Sequence, residues 1–506
     1  MSSSHSPSSS QHPAPPGTHK PEIRMTSREK LLTLRSMNQK VRAARVPILG
    51  SLSTRAEEIQ REIQEGIHKP FTKITPCFFG DIQAMGQKPS TFVRQVAALC
   101  TYPELLESGQ FPEDAKTRAH TILKNMNNGS VGGYNHEYTT KTLPHIIAKF
   151  IQRRDDGVPS TPRNIIVCSG TSEAVMNVLS LVVNDEEDLK TGILLPVPHC
   201  PLYMDTITLT GAVMVPYYLD EGRSWAVSVT SIRESLSAAR RRCNPKALCV
   251  INPGNPTGHV LTMEKITELV QLAAEENLLI LADEVYQETV FGPGVSFHSF
   301  KKVLYQMGPE YSERVQLISV YSMSKGIAGE CGPRAGYIEF VNVDPAVFEV
   351  FYILKSFSIP PIIGVLMMEA VLDPPQPGDR SYETFMKEKQ MLLDNLAEKA
   401  KITEEILNRA PGIQCNPIQG ALYAFAKVQI PDRAIRLAQD RSQEPDDLYC
   451  HLLLEDTGIV LCAGNSFGQA AGTYHFRITL THPIDELKSI LQQIIQFHTR
   501  FTTEYS

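Results

Sequence analysis

The sequence lacks the patterns that would place it in several common classes of protein. It has no apolar run near the roughly 18 residues that a membrane-spanning helix needs, and no long basic stripe of the kind that binds nucleic acid. Its net charge is mildly negative, at −6. At 506 residues the chain can bury large cores, in two or three lobes. We therefore expect a soluble protein whose partners include neither nucleic acid nor membrane.

The chain also lacks the cysteine spacing of a metal site. Its ten cysteines are scattered, and none forms a Cys-x-x-Cys pair. Several, including Cys168 and Cys249, lie in apolar runs typical of buried strands. This pattern favours reduced thiols in a reducing compartment and predicts no metal site.

Residues 1–24 are rich in serine, proline and histidine and have too little apolar content to fold alone. They lack the hydrophobic segment of a secretory signal. The absence of acidic residues before Glu22 is shared with mitochondrial transit peptides, but the segment has no arginine before Arg24 and no amphipathic pattern. We expect a disordered cytoplasmic tail, with a mitochondrial location as the alternative.

The remaining chain divides into three predicted segments. Residues 25–125 read as an N-terminal arm and the helical part of a small lobe, 126–372 as a large domain, and 373–506 as a small C-terminal α/β domain. Amphipathic patterns predict helices at 90–100, 113–126, 382–408 and 484–497. A further helix begins at Ser53 or Thr54 and carries Ile67 on its apolar face.

From Asn164 the chain alternates between apolar runs and helical patterns such as Met263–Glu276. The apolar runs predict strands at 165–168, 192–196, 246–251, 278–282, 315–322 and 336–341. Runs that are apolar on both faces and separated by helices predict a mostly parallel sheet covered by helices on both sides. In such sheets ligands bind where the strands end.

One of these strand ends carries a lysine, in Ser322-Met323-Ser324-Lys325-Gly326. A desolvated lysine at this position loses its proton more easily and can form a Schiff base with a carbonyl compound. Because most lysines are solvated surface charges, Ser-x-x-Lys alone is weak evidence of catalysis.

Neighbouring segments supply complementary groups. Asp283 follows an apolar run, so a cation such as a protonated pyridine nitrogen or a buried arginine would be needed to keep it ionised. Asn255 is a proline-flanked amide, and Tyr286 adds a phenol. The turn 169–173 opens a helix and suits a phosphate, although ordinary helix capping explains it equally well. Amine, acid, amide, phenol and phosphate cradle together match the needs of pyridoxal phosphate.

The segments 252–258, 282–286 and 322–326 with Arg334, in this order and spacing, resemble those of fold-type I aminotransferases, and of alanine aminotransferases in particular. The phrases 80–87, 297–304 and 472–477 support the resemblance, which covers about residues 32–506. It implies an α/β fold with a large domain that binds pyridoxal phosphate, a smaller C-terminal α/β domain, and a homodimer.

The resemblance also implies residue roles. Lys325 would form a Schiff base with the cofactor and carry the proton during transamination. Arg477 would bind the substrate carboxylate with a bidentate fork, although a buried ion pair is the structural alternative. Tyr134 would reach the cofactor phosphate of the neighbouring subunit, or only pack in a surface loop. The remaining cofactor contacts would be Asp283 at the pyridine nitrogen, Asn255 and Tyr286 at O3′, and Gly170, Thr171, Ser172, Ser322 and Arg334 at the phosphate.

Several phrases depart from the family pattern. Cys200 stands where the family has an aromatic ring stacked on the pyridine, and a thiol offers no comparable π face. Other departures are Ile327-Ala328 and Pro333 after the lysine, Pro144, and the segment 46–51 in place of a phrase that lies near the substrate in the family. These changes place ring stacking and substrate specificity in question.

The sequence therefore predicts an aminotransferase that converts L-alanine and 2-oxoglutarate to pyruvate and L-glutamate by a ping-pong cycle. Two alternatives stay open: a diverged paralogue that serves as a binding or scaffold protein, and an enzyme with the same cofactor but altered amino-acid specificity. The presence of Asn255, Asp283, Tyr286, Lys325 and Arg334 argues against a scaffold, which needs none of them.

Overall fold

The structure, a computed structural model, describes residues 32–44, 50–78, 80–184 and 188–506. The predicted tail 1–24 and residues 46–49 of the departing segment lie outside the described residues. None of the helices in the described ranges is long and apolar enough to cross a membrane.

The strands of the described chain, in order, are Thr75–Pro76 (β1), Ile165–Cys168 (β2), Thr191–Val197 (β3), Val213–Tyr218 (β4), Asn244–Ile251 (β5), Leu279–Asp283 (β6), Leu317–Ser322 (β7), Gly336–Val341 (β8), Ile413–Cys415 (β9), Tyr423–Val428 (β10), Ile459–Val460 (β11), Cys462–Ala463 (β12) and His475–Thr479 (β13).

The α-helices are Gln39–Ala43 (α1), Ser51–Gln64 (α2), Thr91–Thr101 (α3), Glu113–Lys124 (α4), Leu143–Arg154 (α5), Thr171–Val182 (α6), Pro201–Thr210 (α7), Val229–Ala239 (α8), Met263–Glu276 (α9), Phe300–Gln306 (α10), Pro309–Ser312 (α11), Pro345–Ser356 (α12), Ile362–Leu372 (α13), Tyr382–Leu407 (α14), Asp432–Asp440 (α15), Pro445–Thr457 (α16) and Ile484–Tyr505 (α17).

A seven-stranded sheet with the order β2-β8-β7-β6-β5-β3-β4 forms the centre of the large domain. Strands β4, β3, β5, β6 and β7 run parallel, and β8 is antiparallel to both of its neighbours. The predicted mostly parallel α/β sheet is therefore confirmed. The edge strand β4 was not predicted, because it is only half buried and contains Pro216, which an edge strand tolerates.

Helices cover both faces of this sheet, as the apolar runs indicate. Leu248 and Val250 of β5 pack in the cluster that includes α8 and α9. Cys249 and Ile251, the alternating residues, pack in the cluster that includes α6 and α7. Because strand side chains alternate between faces, a strand buried on both sides needs this unbroken apolar run.

The C-terminal layer is a four-stranded antiparallel sheet of order β12-β13-β10-β9, covered by α14, α16 and α17. Helix α2 packs into the same core through Leu52 and Ile59. This helix begins at Ser51, earlier than the predicted cap at Ser53 or Thr54. Ile67 lies beyond it and is half exposed, because Gly66 in the left-handed region follows the helix end.

The predicted segment 25–125 divides between two cores. Its first part, α2, lies in the C-terminal core. Helices α3 and α4 instead pack with α5 and α13 beneath the large sheet. The domain limits at 125 and 372 stay a prediction.

Helix α17 extends to Tyr505, eight residues past the predicted end at 497. The extension is held by Phe501, which is 2 % exposed and meets the Tyr449 ring edge-to-face at 5.1 Å. A contact between distant parts of the chain thus sets this helix end.

We expect Phe501→Ala to lower the free energy of unfolding of the C-terminal lobe by about 3 kcal/mol, because it removes a buried ring and leaves a cavity. Denaturant unfolding followed by circular dichroism measures the change. The control Gln496→Ala, at an exposed position of the same helix, should stay within about 0.5 kcal/mol of the parent. Equal effects of the two substitutions would contradict the assignment of Phe501 to the core.

Candidate active site

The parallel strands β3, β5, β6 and β7 all end at one edge of the large sheet, and a cavity of about 780 Å³ opens there. This is the edge where ligands bind in such folds. The predicted residues Thr171, Ser172, Asn255, Asp283, Tyr286, Ser322, Lys325, Arg334 and Arg477 all line this cavity.

Lys325 lies three residues past the end of β7, and its side chain lines the cavity. Its Nζ donates a hydrogen bond to the backbone carbonyl of Gly80. Gly80 also lines the cavity, in a segment far away in sequence. The amine is therefore held at the cavity wall by one neutral acceptor.

Asp283, the last residue of β6, is 5 % exposed. Its Oδ2 accepts a hydrogen bond from the Tyr203 hydroxyl at 2.9 Å, and its Oδ1 accepts one from the Val285 amide at 3.2 Å. Burial raises the pKa of this carboxyl to about 6, against the opposing effect of these hydrogen bonds. No cation forms an ion pair with Asp283 in the described ranges, so a cationic ligand group would compensate its charge.

The next residue, Glu284, serves a different purpose. It is buried away from the cavity, where it accepts a hydrogen bond from the Phe300 amide at 2.8 Å and one from Arg154 at 3.4 Å. The alternation of side chains therefore places one acid of the Asp-Glu pair in the cavity and the other in the core.

Arg477 in β13 is 3 % exposed and lines the same cavity from the C-terminal sheet. It donates to Asn255 Oδ1 at 3.1 Å and to the Phe78 carbonyl at 2.8 Å. Its guanidinium lies 4.0 Å from the ring centre of Tyr423 and 4.6 Å from that of Phe467.

Within the described chain Arg477 pairs with no carboxylate, and its Nε has no hydrogen-bond partner. The alternative of a buried ion pair is therefore not what the structure shows. A buried guanidinium without a counter-charge is suited to an anionic ligand that supplies one.

A cradle of donors lies where α6 begins. Gly170 precedes the helix with φ 99°, and an added Cβ there would lie 2.9 Å from Arg334 Nη2. The buried hydroxyl of Thr171 has no partner. Ser322 Oγ lies 2.8 Å from Ser324 Oγ, which accepts from Arg334 Nη1 at 3.2 Å. A helix N-terminus with a guanidinium, two serine hydroxyls and one unpaired threonine hydroxyl fits a phosphate group.

Tyr286 is 3 % exposed, and its hydroxyl lies 3.5 Å from that of Tyr423. Burial raises the pKa of Tyr286 well above its ordinary value, so the phenol stays neutral and can donate. Tyr423 and Tyr203 were missed by sequence reasoning. Tyr203 lies in the phrase Cys200-Pro201-Leu202-Tyr203, whereas no local signal marks Tyr423, which belongs to the C-terminal sheet.

Cys200 lines the cavity at the start of α7, where the family aromatic would stack. Two other departures lie elsewhere: Ile327 and Pro144 line separate cavities. Tyr134 is 88 % exposed and does not reach the cavity of its own chain. Among the departures in the described segments, Cys200 is thus the one that faces the ligand directly.

The residues present fit pyridoxal phosphate. The cavity combines a phosphate cradle at α6, an unpaired buried acid for a protonated ring nitrogen, an amide and a neutral phenol for a ring oxygen, and one primary amine. These donors and acceptors line one cavity at the edge where the parallel strands end.

Comparisons with known proteins agree with this geometry. Residues 103–494 match the family model for aminotransferase class I and II. The chain is 48 % identical to alanine aminotransferase 2 of Xenopus tropicalis, over 94 % of this chain and 91 % of that protein. It is 47 % identical to human alanine aminotransferase 1, over 97 % of this chain and 99 % of that one.

Solved structures share the fold. An alanine aminotransferase from Pyrococcus furiosus superposes with a TM-score of 0.69 at 21 % identity, covering 92 % of this chain and 100 % of that one. A Thermus thermophilus aspartate aminotransferase double mutant gives a TM-score of 0.67 at 18 % identity, over 91 % and 99 % of the two chains. With the family model and the curated relatives, these matches lead to one conclusion: the chain belongs to the class I and II aminotransferases, fold-type I enzymes that depend on pyridoxal phosphate.

Proposed function

We propose that this aminotransferase transfers the amino group of L-alanine to 2-oxoglutarate, giving pyruvate and L-glutamate by a ping-pong cycle. The observation that carries the proposal is the buried, carboxylate-free guanidinium of Arg477 in the same cavity as Lys325. A carboxylate bound there would bring a substrate Cα into the space between the two side chains. The relatives that share about half of this sequence are named alanine aminotransferases.

The proposed cofactor contacts follow from the site. Gly170, Thr171, Ser172, Ser322 and Arg334 would hold the phosphate. Asn255 and Tyr286 would donate to O3′, and Asp283 would keep a proton on the ring nitrogen.

Bound pyridoxal phosphate supplies an electron sink that lets the Cα–H bond of an amino acid ionise. Lys325 Nζ would take and hold the proton from the substrate Cα. Arg477 would bind the carboxylate with two parallel N–H donors, which would orient the Cα–H bond toward the lysine. The buried Asp283 would hold a protonated ring nitrogen.

We further propose a homodimer in which Tyr134 reaches the cofactor phosphate of the partner. The residues Val350, Ile353, Leu354 and Phe357 form an exposed apolar stripe on α12 and its C-terminal cap, and Phe357 is 87 % exposed. Such a stripe on a helix is suited to a second copy of the chain. Thr139, which lies five residues after Tyr134, lines a small cavity together with Tyr352 of α12, so stripe and tyrosine segment are adjacent.

The cytosol is the proposed location. All ten cysteines are free, which suits a reducing compartment. Fractionation of cells that express the protein tests this: recovery in the mitochondrial fraction would favour the alternative location.

For the reaction itself, we expect the purified protein to show the visible absorbance band of the bound cofactor, which shifts when L-alanine is added. Lys325→Ala should abolish the shift and reduce turnover by at least about 10⁴-fold, because the proton carrier is lost. Half-reactions followed by absorbance over a panel of amino acids measure both. A band that shifts with other amino acids but not with L-alanine would contradict the substrate; a colourless protein would favour a scaffold.

For the dimer, Phe357→Glu should shift the protein from dimer to monomer in analytical ultracentrifugation, because a buried charge at an apolar interface is costly. Activity should fall with the dimer fraction, while Met391→Glu, an exposed apolar residue of α14, should leave both unchanged. In Tyr134→Phe the dimer should persist with weaker cofactor binding. A fully active monomer would refute the shared site.

For Asp283, the folded-state pKa is raised, so its ionisation destabilises the cofactor-free fold. This cost is absent below about pH 4, grows between pH 4 and 6, and is fully present above that, at about 3 kcal/mol. Asp283→Asn should therefore stabilise the cofactor-free protein more at about pH 8 than at about pH 5, while weakening cofactor binding. Denaturant unfolding at both pH values and a cofactor titration measure these effects.

Asp155→Asn provides the contrast for this prediction. It removes a buried carboxylate that accepts two hydrogen bonds from the Arg154 guanidinium, so it should destabilise the protein. If Asp283→Asn also destabilised the cofactor-free protein at both pH values, some group in the protein would have to compensate the charge of Asp283, and the prediction would be wrong.

A further inference from the structure

The C-terminal sheet contacts the large domain at a buried histidine. His475 is 2 % exposed and is the first residue of β13, two positions before Arg477. Because side chains alternate along a strand, the two lie on the same face of the sheet. Contacts that fix the position of His475 therefore also constrain the position of Arg477.

Both ring nitrogens of His475 face hydrogen-bond acceptors. Nε2 lies 3.0 Å from Glu221 Oε1, and Nδ1 lies 2.9 Å from Gln469 Oε1. The orientation of the Gln469 amide is assigned by its other contact, since its Nε2 donates to Asp446 Oδ2 at 2.8 Å. Two acceptors require two N–H donors, so the network assigns His475 as a protonated imidazolium.

Glu221 belongs to the large domain, in the turn that follows the edge strand β4. Three residues of the C-terminal lobe contact Glu221. Its carboxylate lies against His475 and accepts from Lys427 Nζ at 3.3 Å, and its backbone carbonyl accepts from Asn416 Nδ2 at 2.8 Å. The Glu221 side chain is only 18 % exposed, so solvent screens this contact weakly.

Aromatic rings support the same contact. The His475 ring stacks on Phe425 of β10 at 4.7 Å with an interplanar angle of 6°. Trp225, from the large domain, packs against both rings, at 5.9 Å and 5.7 Å. Phe425 also meets Phe467 edge-to-face, and Phe467 lies against the Arg477 guanidinium. A continuous stack thus runs from the domain contact to the arginine.

Strand β13 is therefore joined to the large domain twice on one face. At one end of the strand, His475 is hydrogen-bonded to Glu221. Arg477, two residues further along the strand, donates to Asn255 Oδ1 at 3.1 Å. We propose that Glu221 and His475 are positioning residues, whose contact docks β13 on the large domain and so holds Arg477 where it receives the substrate carboxylate. The inference rests on the proposed role of Arg477.

The charged groups near His475 are Glu221 and Lys427 at the interface, Asp446 behind Gln469, and Arg477 along the strand. Glu221 is the carboxylate in direct contact with the His475 ring, so the docking contact depends on it.

The test uses steady-state kinetics of the cofactor-loaded enzyme. Glu221→Gln should raise KM for L-alanine and for 2-oxoglutarate by about tenfold, with kcat within about twofold, because a charged contact that positions the binding arginine is lost. The cofactor absorbance should not change. His475→Gln should raise KM to a similar extent, because it removes the imidazole that contacts Glu221 Oε1.

Glu276→Gln is the matched control. Glu276 has the same 18 % side-chain exposure and also faces two cations, Arg233 and Arg240, but it lies outside the cavity lining. Its substitution should leave KM unchanged. If Glu221→Gln matched this control, or lowered kcat and cofactor occupancy instead, the positioning role would be refuted.

Arg477→Gln separates this inference from the proposed function on which it rests. If Arg477→Gln leaves KM for both substrates unchanged, the proposed role of Arg477 fails. If it raises KM by at least about 100-fold while Glu221→Gln has no effect, only the docking inference fails.

Discussion

The structure depends on keeping two buried charges of opposite sign apart. Within the described residues, Asp283 at the end of the central strand β6 pairs with no cation, and Arg477, which lines the same cavity, pairs with no carboxylate. A buried charge is costly unless something compensates it, so each would be stabilised by pairing with the other. They are instead held by neutral donors and acceptors from different elements, Tyr203 for the acid and Asn255 for the arginine. A ligand with one cationic group and one anionic group would compensate the charges of both residues.

Sequence reasoning located the large-domain half of this arrangement because the groups lie where buried strands end. The apolar runs fixed β5, β6 and β7 to within two residues, and parallel strands bring their ends to one edge. The C-terminal half was harder to predict. Tyr423 reaches the cavity through antiparallel pairing of β10 with β13, and pairing between strands about 50 residues apart leaves no local pattern. The end of α17 was missed for the same reason, because Phe501 packs on the distant Tyr449. Edge strand β4 was missed because it is only half buried and contains Pro216.

The departures from the family pattern lie in different parts of the structure and therefore affect different properties of the site. Ile327 and Pro144 line cavities away from the cofactor wall, so they change packing around the site and not the ligand surface. Among the departures that the structure places, Cys200 is the one that lines the candidate active-site cavity. Its pKa is raised by burial, so it presents a neutral, small and polarisable thiol. The affinity for the ring must then come from the polar contacts at its edge and from the phosphate cradle, which makes Asp283 and Arg334 the stronger anchors.

The packing of α2 has a consequence for how the chain acquires its structure. Leu52 and Ile59 pack in a core formed mainly by residues beyond 390, and Thr75 of β1 pairs with Ile459 of β11. Helix α2 is therefore synthesised long before its packing partners in the C-terminal lobe emerge from the ribosome. During synthesis the large domain can fold first, while α2 stays exposed to chaperones and proteases. A chain truncated before β11 would lack the strand that pairs with β1 and part of the core in which Leu52 and Ile59 pack.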